Sequence, residues 1–250
     1  MIKVVLLGAG NVAYHLSKVF QKTDGVEIVQ HYRRNAKEDD VFNLKVPRTN
    51  SLKKLKSADL YIIAIKDDSI AALSRKLNIT EGLVVHTSGS VSMNELHCSA
   101  NKGVFYPLQS FSKNENLHFK EIPICIETEL EEDMHLLRKF AHLISDKVFE
   151  INSLQREKLH IAAVFANNFT NHMYKIAKDI CDENNFSFDV LKPLIKNTAK
   201  KIEKIAPEKA QTGPAIRNDK KIIKKHLKQL KSNQKDIYEL ITKSIIKTRK

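Results

Sequence analysis

The run Leu159-His160-Ile161-Ala162-Ala163-Val164-Phe165-Ala166-Asn167-Asn168-Phe169 sets a few polar side chains into an apolar stretch, with Asn171 just beyond. On a helix, at ~100° per residue, positions 160, 167 and 171 fall within ~40° of one another. A largely apolar helix is expected to be buried, and buried polar groups need partners. A pocket facing a nicotinamide would supply them. In that reading His160 is the general acid for reducing a carbonyl or imine, and Asn167 and Asn168 complete the catalytic group. An internal hydrogen-bond network or a dimer contact is the other reading of the same stripe.

A second chemical signal sits near the N-terminus. Leu7-Gly8-Ala9-Gly10-Asn11-Val12-Ala13 contains GxGxxA, directly after a β-like run and opening a helical one. Gly8 permits a tight turn, Gly10 lets a pyrophosphate approach the backbone, and small Ala13 lets the helix pack on the strand. The helix start, with Asn11 and Val12, offers free N–H groups and a positive dipole to phosphates. At the end of the next strand, NAD-binding chains carry an acid for the adenine ribose. This chain reads Val29-Gln30-His31-Tyr32-Arg33-Arg34-Asn35, without an acid and with two arginines. Guanidinium grips a 2′-phosphate through paired donors, so the expected cofactor is NADP(H), held by Arg33 and Arg34. As ordinary surface cations they would carry no such meaning.

Ligands in open α/β sheets bind beyond the C-terminal ends of the strands. Three such ends are polar: Lys66-Asp67-Asp68, His86-Thr87-Ser88-Gly89-Ser90 and Pro107-Leu108-Gln109-Ser110. Lys66 is assigned to the cofactor, and His86, Ser88 and Gln109 to the substrate. Asp68 and Ser90 are equally readable as helix caps, and His86 as a histidine satisfied by backbone carbonyls. Farther on, Thr212-Gly213-Pro214-Ala215-Ile216-Arg217-Asn218-Asp219 joins two helices. Arg217 suits a substrate carboxylate, with Asn171 also assigned to substrate. Gly213-Pro214 reads as a turn and Asp219 as a cap.

These residues need a scaffold, and the order of segments describes one. β-like runs at Lys3–Leu7, Glu27–Gln30, Leu60–Ile65, Leu83–His86 and Gly103–Tyr106 alternate with helical patterns such as Asn11–Gln21 and Ser69–Leu77. Alternation of this kind implies right-handed βαβ units and a parallel sheet. Ile122–Glu127, a helix over Glu131–Ile144 and Val148–Ile151 extend it. From Asn152 only helical patterns follow. Asn152 and Gln155 make a capping box for a helix reaching about Asp182. A second helix is expected over Val190–Ala206, ended by Pro207, and two more follow Asp219. The expected architecture is an α/β Rossmann-type, doubly wound parallel sheet over residues 1–151, then an all-α domain over residues 152–250 for substrate and dimerisation.

Composition narrows the classes. The chain has 250 residues, 42% hydrophobic and 28% charged, with 7 Gly and 6 Pro, which excludes collagen-like and wholly disordered chains. No apolar run reaches the ~20 residues that span a bilayer, and the apolar start is too short for a signal-peptide core. Cys98, Cys125 and Cys181 are odd in number and widely spaced, which fits a reducing compartment and no metal site. A cytoplasmic protein without membrane attachment is expected. The net charge of +13 lies wholly in residues 191–250, with 18 basic and 5 acidic side chains. Those cations are mostly lysines at helical spacing with one aromatic, Tyr238, among them, so a solvated helix face is favoured over nucleic acid.

The segments LLGAGNVAYHLS, DLYIIAIKDDSI, HTSGS, PLQSF, LHIAAVFANNF and TGPAIRND, in this order, resemble a bacterial family of Rossmann-like putative NADP oxidoreductases. Its C-terminal helical domain is of unknown function, and its members are likened to pyrroline-5-carboxylate reductase and deazaflavin-dependent NADP reductases. The resemblance implies a helical domain of the 6-phosphogluconate-dehydrogenase type, a cofactor in the cleft between domains, and a homodimer through the helical domain. The wider superfamily includes ketopantoate reductase and 3-hydroxyacid dehydrogenases. There a lysine on the first long C-terminal helix often serves catalysis, with an asparagine following. His160 looks like the occupant of that lysine's place, with Asn167 or Asn168 two turns on. Two other classes stay open beside the oxidoreductase. One is a non-catalytic NADP-binding sensor or scaffold, and the other a nucleic-acid-associated protein using the basic helices.

Overall fold

The computed structural model describes residues 1–35, 42 and 44–248. The chain forms two compact units, Met1–Asn168 and Phe169–Lys250.

The first unit is built on an eight-stranded sheet. Its strands are β1 (Ile2–Leu7), β2 (Val26–Tyr32), β3 (Arg48–Thr49), β4 (Leu60–Ile63), β5 (Leu83–His86), β6 (Asn101–Pro107), β7 (Ile124–Thr128) and β8 (Val148–Glu150). The order is β3-β2-β1-β4-β5-β6-β7-β8. The chain reverses direction of growth beside β1, so the crevice between β1 and β4 is the topological switch point at which such sheets bind ligands. Register aligns the ends that matter: Leu7 pairs with Tyr32 and Ile63, and Ile63 with His86. The Rossmann-type expectation holds, with one correction. β7 runs antiparallel to β6, because the connection between them carries only a 3-10 turn, Phe119–Glu121. Without a crossover helix the chain returns in the opposite sense.

The alternation of the strands explains the core. Val4, Leu6, Ile62 and Val85 pack with Leu16 and Phe20 of α1 (Asn11–Phe20) on one face of the sheet. Val5, Leu7, Ile63 and Val84 pack on the other, with Ile70 of α2 (Ile70–Ser74) and Leu77. Helix α2 is shorter than its apolar pattern suggests. Helix α3 (Glu131–Ile144) buries Leu137, Phe140 and Ile144 on the first face. Burying each such side chain contributes roughly 1.5–3 kcal/mol.

The last strand ends at Glu150, and helical backbone then begins at α4 (Ser153–Ala163). The capping box is present: Asn152 accepts from the Gln155 N–H, and the Gln155 side chain accepts from the Asn152 N–H. A π-helical turn, Val164–Phe169, follows α4. Its i→i+5 bonding shifts the phase of whatever comes after it, so a constant 100° step does not carry from His160 to Asn171. Ile161, Phe165 and Phe169 are 51%, 64% and 49% exposed, and Asn167, Asn168 and Asn171 are exposed too. The expectation of a buried stripe is therefore corrected. This helix is open to solvent in the single chain.

The second unit is helical: α5 (Thr170–Glu183), α6 (Lys192–Ile202), α7 (Pro207–Ala210), α8 (Lys220–Leu227) and α9 (Ser232–Lys247). Pro207 opens α7 rather than ending a longer helix, since proline is tolerated in a first turn. His226 Nδ1 lies 2.9 Å from Tyr238 Oη, linking α8 and α9. Among the described residues of this unit only Cys181, Ala215 and Thr242 are buried. Val190, Leu194, Ile202 and Leu240, apolar at helical spacing, are all more than half exposed. No described helix is long and apolar enough to cross a membrane.

Candidate functional site

The glycine turn follows β1 as its chemistry requires. Gly8 has φ +141°, and a Cβ there would stand 2.0 Å from the Ala64 carbonyl oxygen of the strand beside it. Only glycine permits that approach. Space above Gly10 is open: nothing lies within 4 Å of where its Cβ would be. Helix α1 has neither a side-chain cap nor an acid in its first turn, so its first N–H groups face a cavity without a competing carboxylate.

That cavity has a volume of about 830 Å³ and includes Gly8, Gly10, Asn11, Val12, Tyr32, Arg34 and Lys66 in its lining. Arg34 and Lys66 are exposed cations at the ends of β2 and β4. Arg33 does not line the cavity. It is 3% exposed, stacks its guanidinium 5.5 Å from the Phe42 ring centre, and among the described residues Nε and Nη2 have no hydrogen-bond partner. An open glycine turn, uncapped N–H groups, two cavity cations and an orphaned guanidinium beside them fit a phosphate-bearing dinucleotide.

A second cavity of about 510 Å³ lies next to the first, and Gln109 lines both. Here His160, Asn167 and Asn168 come together with Tyr106, Leu108 and Leu159. The Gln109 side-chain oxygen Oε1 accepts from the Ser110 N–H at 2.8 Å, which leaves its amide NH₂ with no partner among the described residues. The loop bearing Gln109 is tied to α1: Asn11 Nδ2 donates to the Phe111 carbonyl at 2.8 Å, and His15 Nε2 lies 2.7 Å from the Ser112 carbonyl.

Other residues assigned from sequence lie elsewhere. His86 is fully buried at the end of β5 and lines neither cavity. Its Nδ1 accepts from the Ser88 N–H at 3.2 Å, and burial followed by the nearby Arg156 charge pulls its pKa down to about 4. The neutral ring is therefore favoured at neutral pH. Ser88 is buried and accepts from the N–H groups of Ser90 and Val91, a turn-forming role. Ser90 donates to Asp67 at 2.7 Å. Asn171 and Arg217 are exposed residues of the second unit. Asp219 caps α8 through the Ile222 N–H.

Three residues that sequence reasoning left aside belong to the site's construction. Tyr106 Oη lies 3.0 Å from His160 Nδ1. Gly89 leaves the room for that pair. Arg156, 1% exposed, pairs with Glu127 and donates to the Val91 carbonyl. Glu127 in turn accepts from the Ser153 N–H and hydroxyl, both at 2.9 Å. This buried knot fixes the first turn of α4 to β7, one turn before His160.

Residues 122–245, from the end of the sheet through most of α9, match the family model described as a domain of unknown function, DUF2520. No curated protein sequence matches the chain. Among solved structures, the putative NADP oxidoreductase BF3122 from Bacteroides fragilis is 40% identical, with a TM-score of 0.89 over 98% of each chain. Pyrroline carboxylate reductase from Plasmodium falciparum, solved with NADP bound, is 12% identical at TM-score 0.64, over 98% of each chain. The imine reductase from Myxococcus stipitatus, in complex with NADP⁺, is 12% identical at TM-score 0.65, over 98% of this chain and 92% of its own. The chain belongs to the family of Rossmann-like putative NADP oxidoreductases that carry this C-terminal domain.

Proposed function

We propose that this protein is an NADP(H)-dependent reductase of a small carbonyl or imine compound. The observation that carries the reading is the adjacency of the two cavities through Gln109. One offers an open glycine turn with Arg34 and Lys66, and the other offers His160 with two asparagine amides.

Gly8, Gly10 and the first N–H groups of α1, at Asn11 and Val12, receive the pyrophosphate. Arg34 takes the 2′-phosphate from the cavity side, and Arg33 backs the same strand end with its unpaired nitrogens. NADPH, when bound, supplies a hydride to the electrophilic carbon. His160 supplies the proton that the substrate's oxygen or nitrogen then needs. Asn167, Asn168 and the Gln109 amide orient that polar end, and Leu108, Leu159 and Ala163 offer an apolar wall to the rest of the substrate. BF3122, at 40% identity, and the NADP-bound reductases of the same fold support the cofactor and the reaction class.

The helical unit is covered by a second copy of the chain in this reading. Val190, Leu194, Ile202 and Leu240, apolar and more than half exposed, are the residues such a contact would bury. A soluble cytoplasmic homodimer is the corresponding assembly, and no nucleic acid is required.

The test is turnover. Full-length protein with NADPH is screened against cyclic imines and 2-oxo acids, following loss of NADPH absorbance. His160→Ala is expected to keep NADPH affinity and to lower kcat about 10²–10⁴-fold. Unchanged turnover in that variant removes His160 from the chemistry. Binding of NADPH without turnover on any substrate favours the sensor reading.

A further inference from the structure

His160 sits in a particular hydrogen-bonded arrangement. Its Nδ1 lies 3.0 Å from the Tyr106 hydroxyl, and the two rings meet edge to face, with centroids 6.0 Å apart and an interplanar angle of 71°. Tyr106 comes from β6 and His160 from α4, 54 residues later. Gly89, in the turn after β5, closes the third side. A Cβ there would stand 2.5 Å from His160 Nδ1, 2.7 Å from Tyr106 Cζ and 2.8 Å from its hydroxyl. No side chain fits where Gly89 is while the pair keeps its present place. The glycine is needed for room.

We infer that Tyr106 is a positioning residue that, in the space Gly89 leaves, holds His160 by Nδ1 and so assigns Nε2 to the substrate. The inference deepens the reductase reading and rests on it for the identity of the proton's acceptor. The chemistry favours a hydroxyl in this place. A proton donor alternates between two states, and its supporting partner must suit both. When His160 is an imidazolium, Nδ1–H donates to the tyrosine oxygen. After Nε2 hands its proton to the substrate's oxygen or nitrogen, the ring is neutral and Nδ1 is left holding a proton. Nε2 then takes a proton from solvent, which restores the imidazolium; in the resting neutral ring, above the histidine range, the remaining proton sits on Nε2 and Nδ1 accepts from the tyrosine O–H. A hydroxyl donates or accepts by rotation, whereas a carboxylate there would only accept. Burial pushes the Tyr106 hydroxyl up to about 12, so it stays protonated through this cycle.

The test reads the ring itself. Full-length protein with ¹⁵N-labelled histidine is examined by long-range ¹H–¹⁵N correlation at about pH 9, above the ordinary histidine range. The His160 signals are assigned by their loss in His160→Gln. The expected result is one neutral tautomer, protonated on Nε2, with Nδ1 accepting a hydrogen bond. Tyr106→Phe, which removes one oxygen and keeps the ring, is expected to give a mixture of tautomers. Gly89→Ala is expected to do the same by displacing the pair. A Nδ1-protonated ring in the unaltered protein overturns the inference, as does an unchanged tautomer in Tyr106→Phe. With a reducible substrate in hand, Tyr106→Phe is expected to lower kcat about 10-fold or more while leaving the KM for NADPH unchanged. If no substrate turns over but the tautomer result holds, the reductase reading fails and the role of Tyr106 on the ring stands.

Discussion

Replacing Glu127 by glutamine tests how α4 is anchored. The substitution is nearly isosteric. It keeps an oxygen for the Ser153 N–H but removes the charge that faces Arg156, whose side chain is 1% exposed. The guanidinium keeps the Val91 carbonyl and the Ser153 hydroxyl as partners, and neither is an anion. An uncompensated buried charge costs about 3–5 kcal/mol. For a chain of this size each kcal/mol lowers Tm by roughly 2–4 °C, so the expected fall is about 6–20 °C. The assay is thermal unfolding at neutral pH, with Arg156→Met/Glu127→Met measured beside it. Removing both charges is expected to recover most of the loss, because the desolvation cost disappears with the pair. A Glu127→Gln protein within about 2 °C of the unaltered one would refute the reasoning. It would mean that the pair is solvated in solution and does not fix α4.

Other outcomes follow from the same geometry. Gly8→Ala places a methyl group 2.0 Å from the Ala64 oxygen at a φ of +141°; a loss of about 2–4 kcal/mol in urea unfolding is expected, together with loss of NADPH binding. His86 is buried neutral with its pKa near 4, below its unfolded value of about 6.5. The unfolded chain therefore binds the extra proton first, and stability falls as pH drops from about 6.5 to 4, by about 3 kcal/mol for this group alone. Denaturation curves at pH about 7 and about 4.5 for the unaltered protein and His86→Gln check that slope, which the variant is expected to lack in part. In light scattering the protein is expected at twice its chain mass of 28.6 kDa, and Leu240→Glu to lower that mass; a monomer with unchanged solubility contradicts the covered helical face.

What was legible in the sequence was local. The turn at Gly8 and Gly10 is written in adjacent residues, and so is the capping box of Asn152 and Gln155. Strand alternation and turn chemistry report such features directly. Less legible was whatever depends on pairing across the fold. Tyr106 meets His160 only because β6 and α4 are brought together, and a lone tyrosine at a strand end gives no signal of that. Gly89 carried no assignment of its own within the polar strand end His86–Ser90, yet its significance is the space it leaves. Neighbouring residues at a strand end point opposite ways, so Arg33 and Arg34 divide into a buried and a cavity-side cation. The π turn at Val164–Phe169 cannot be read from a 3.6-residue period, so a stripe traced through it drifts. The helical unit misled in a different way: its apolar spacing is real, but the single chain leaves those faces exposed.

The most direct test of the account is a titration of the purified protein with NADPH and with NADH, following the fluorescence of the reduced nicotinamide. The chain has no tryptophan, so the signal belongs to the cofactor. NADPH is expected to bind at least about tenfold tighter than NADH, the worth of one charge-assisted phosphate contact. Arg34→Ala is predicted to remove that difference. Binding of neither nucleotide, or equal binding of both with no response to Arg34→Ala, would contradict it.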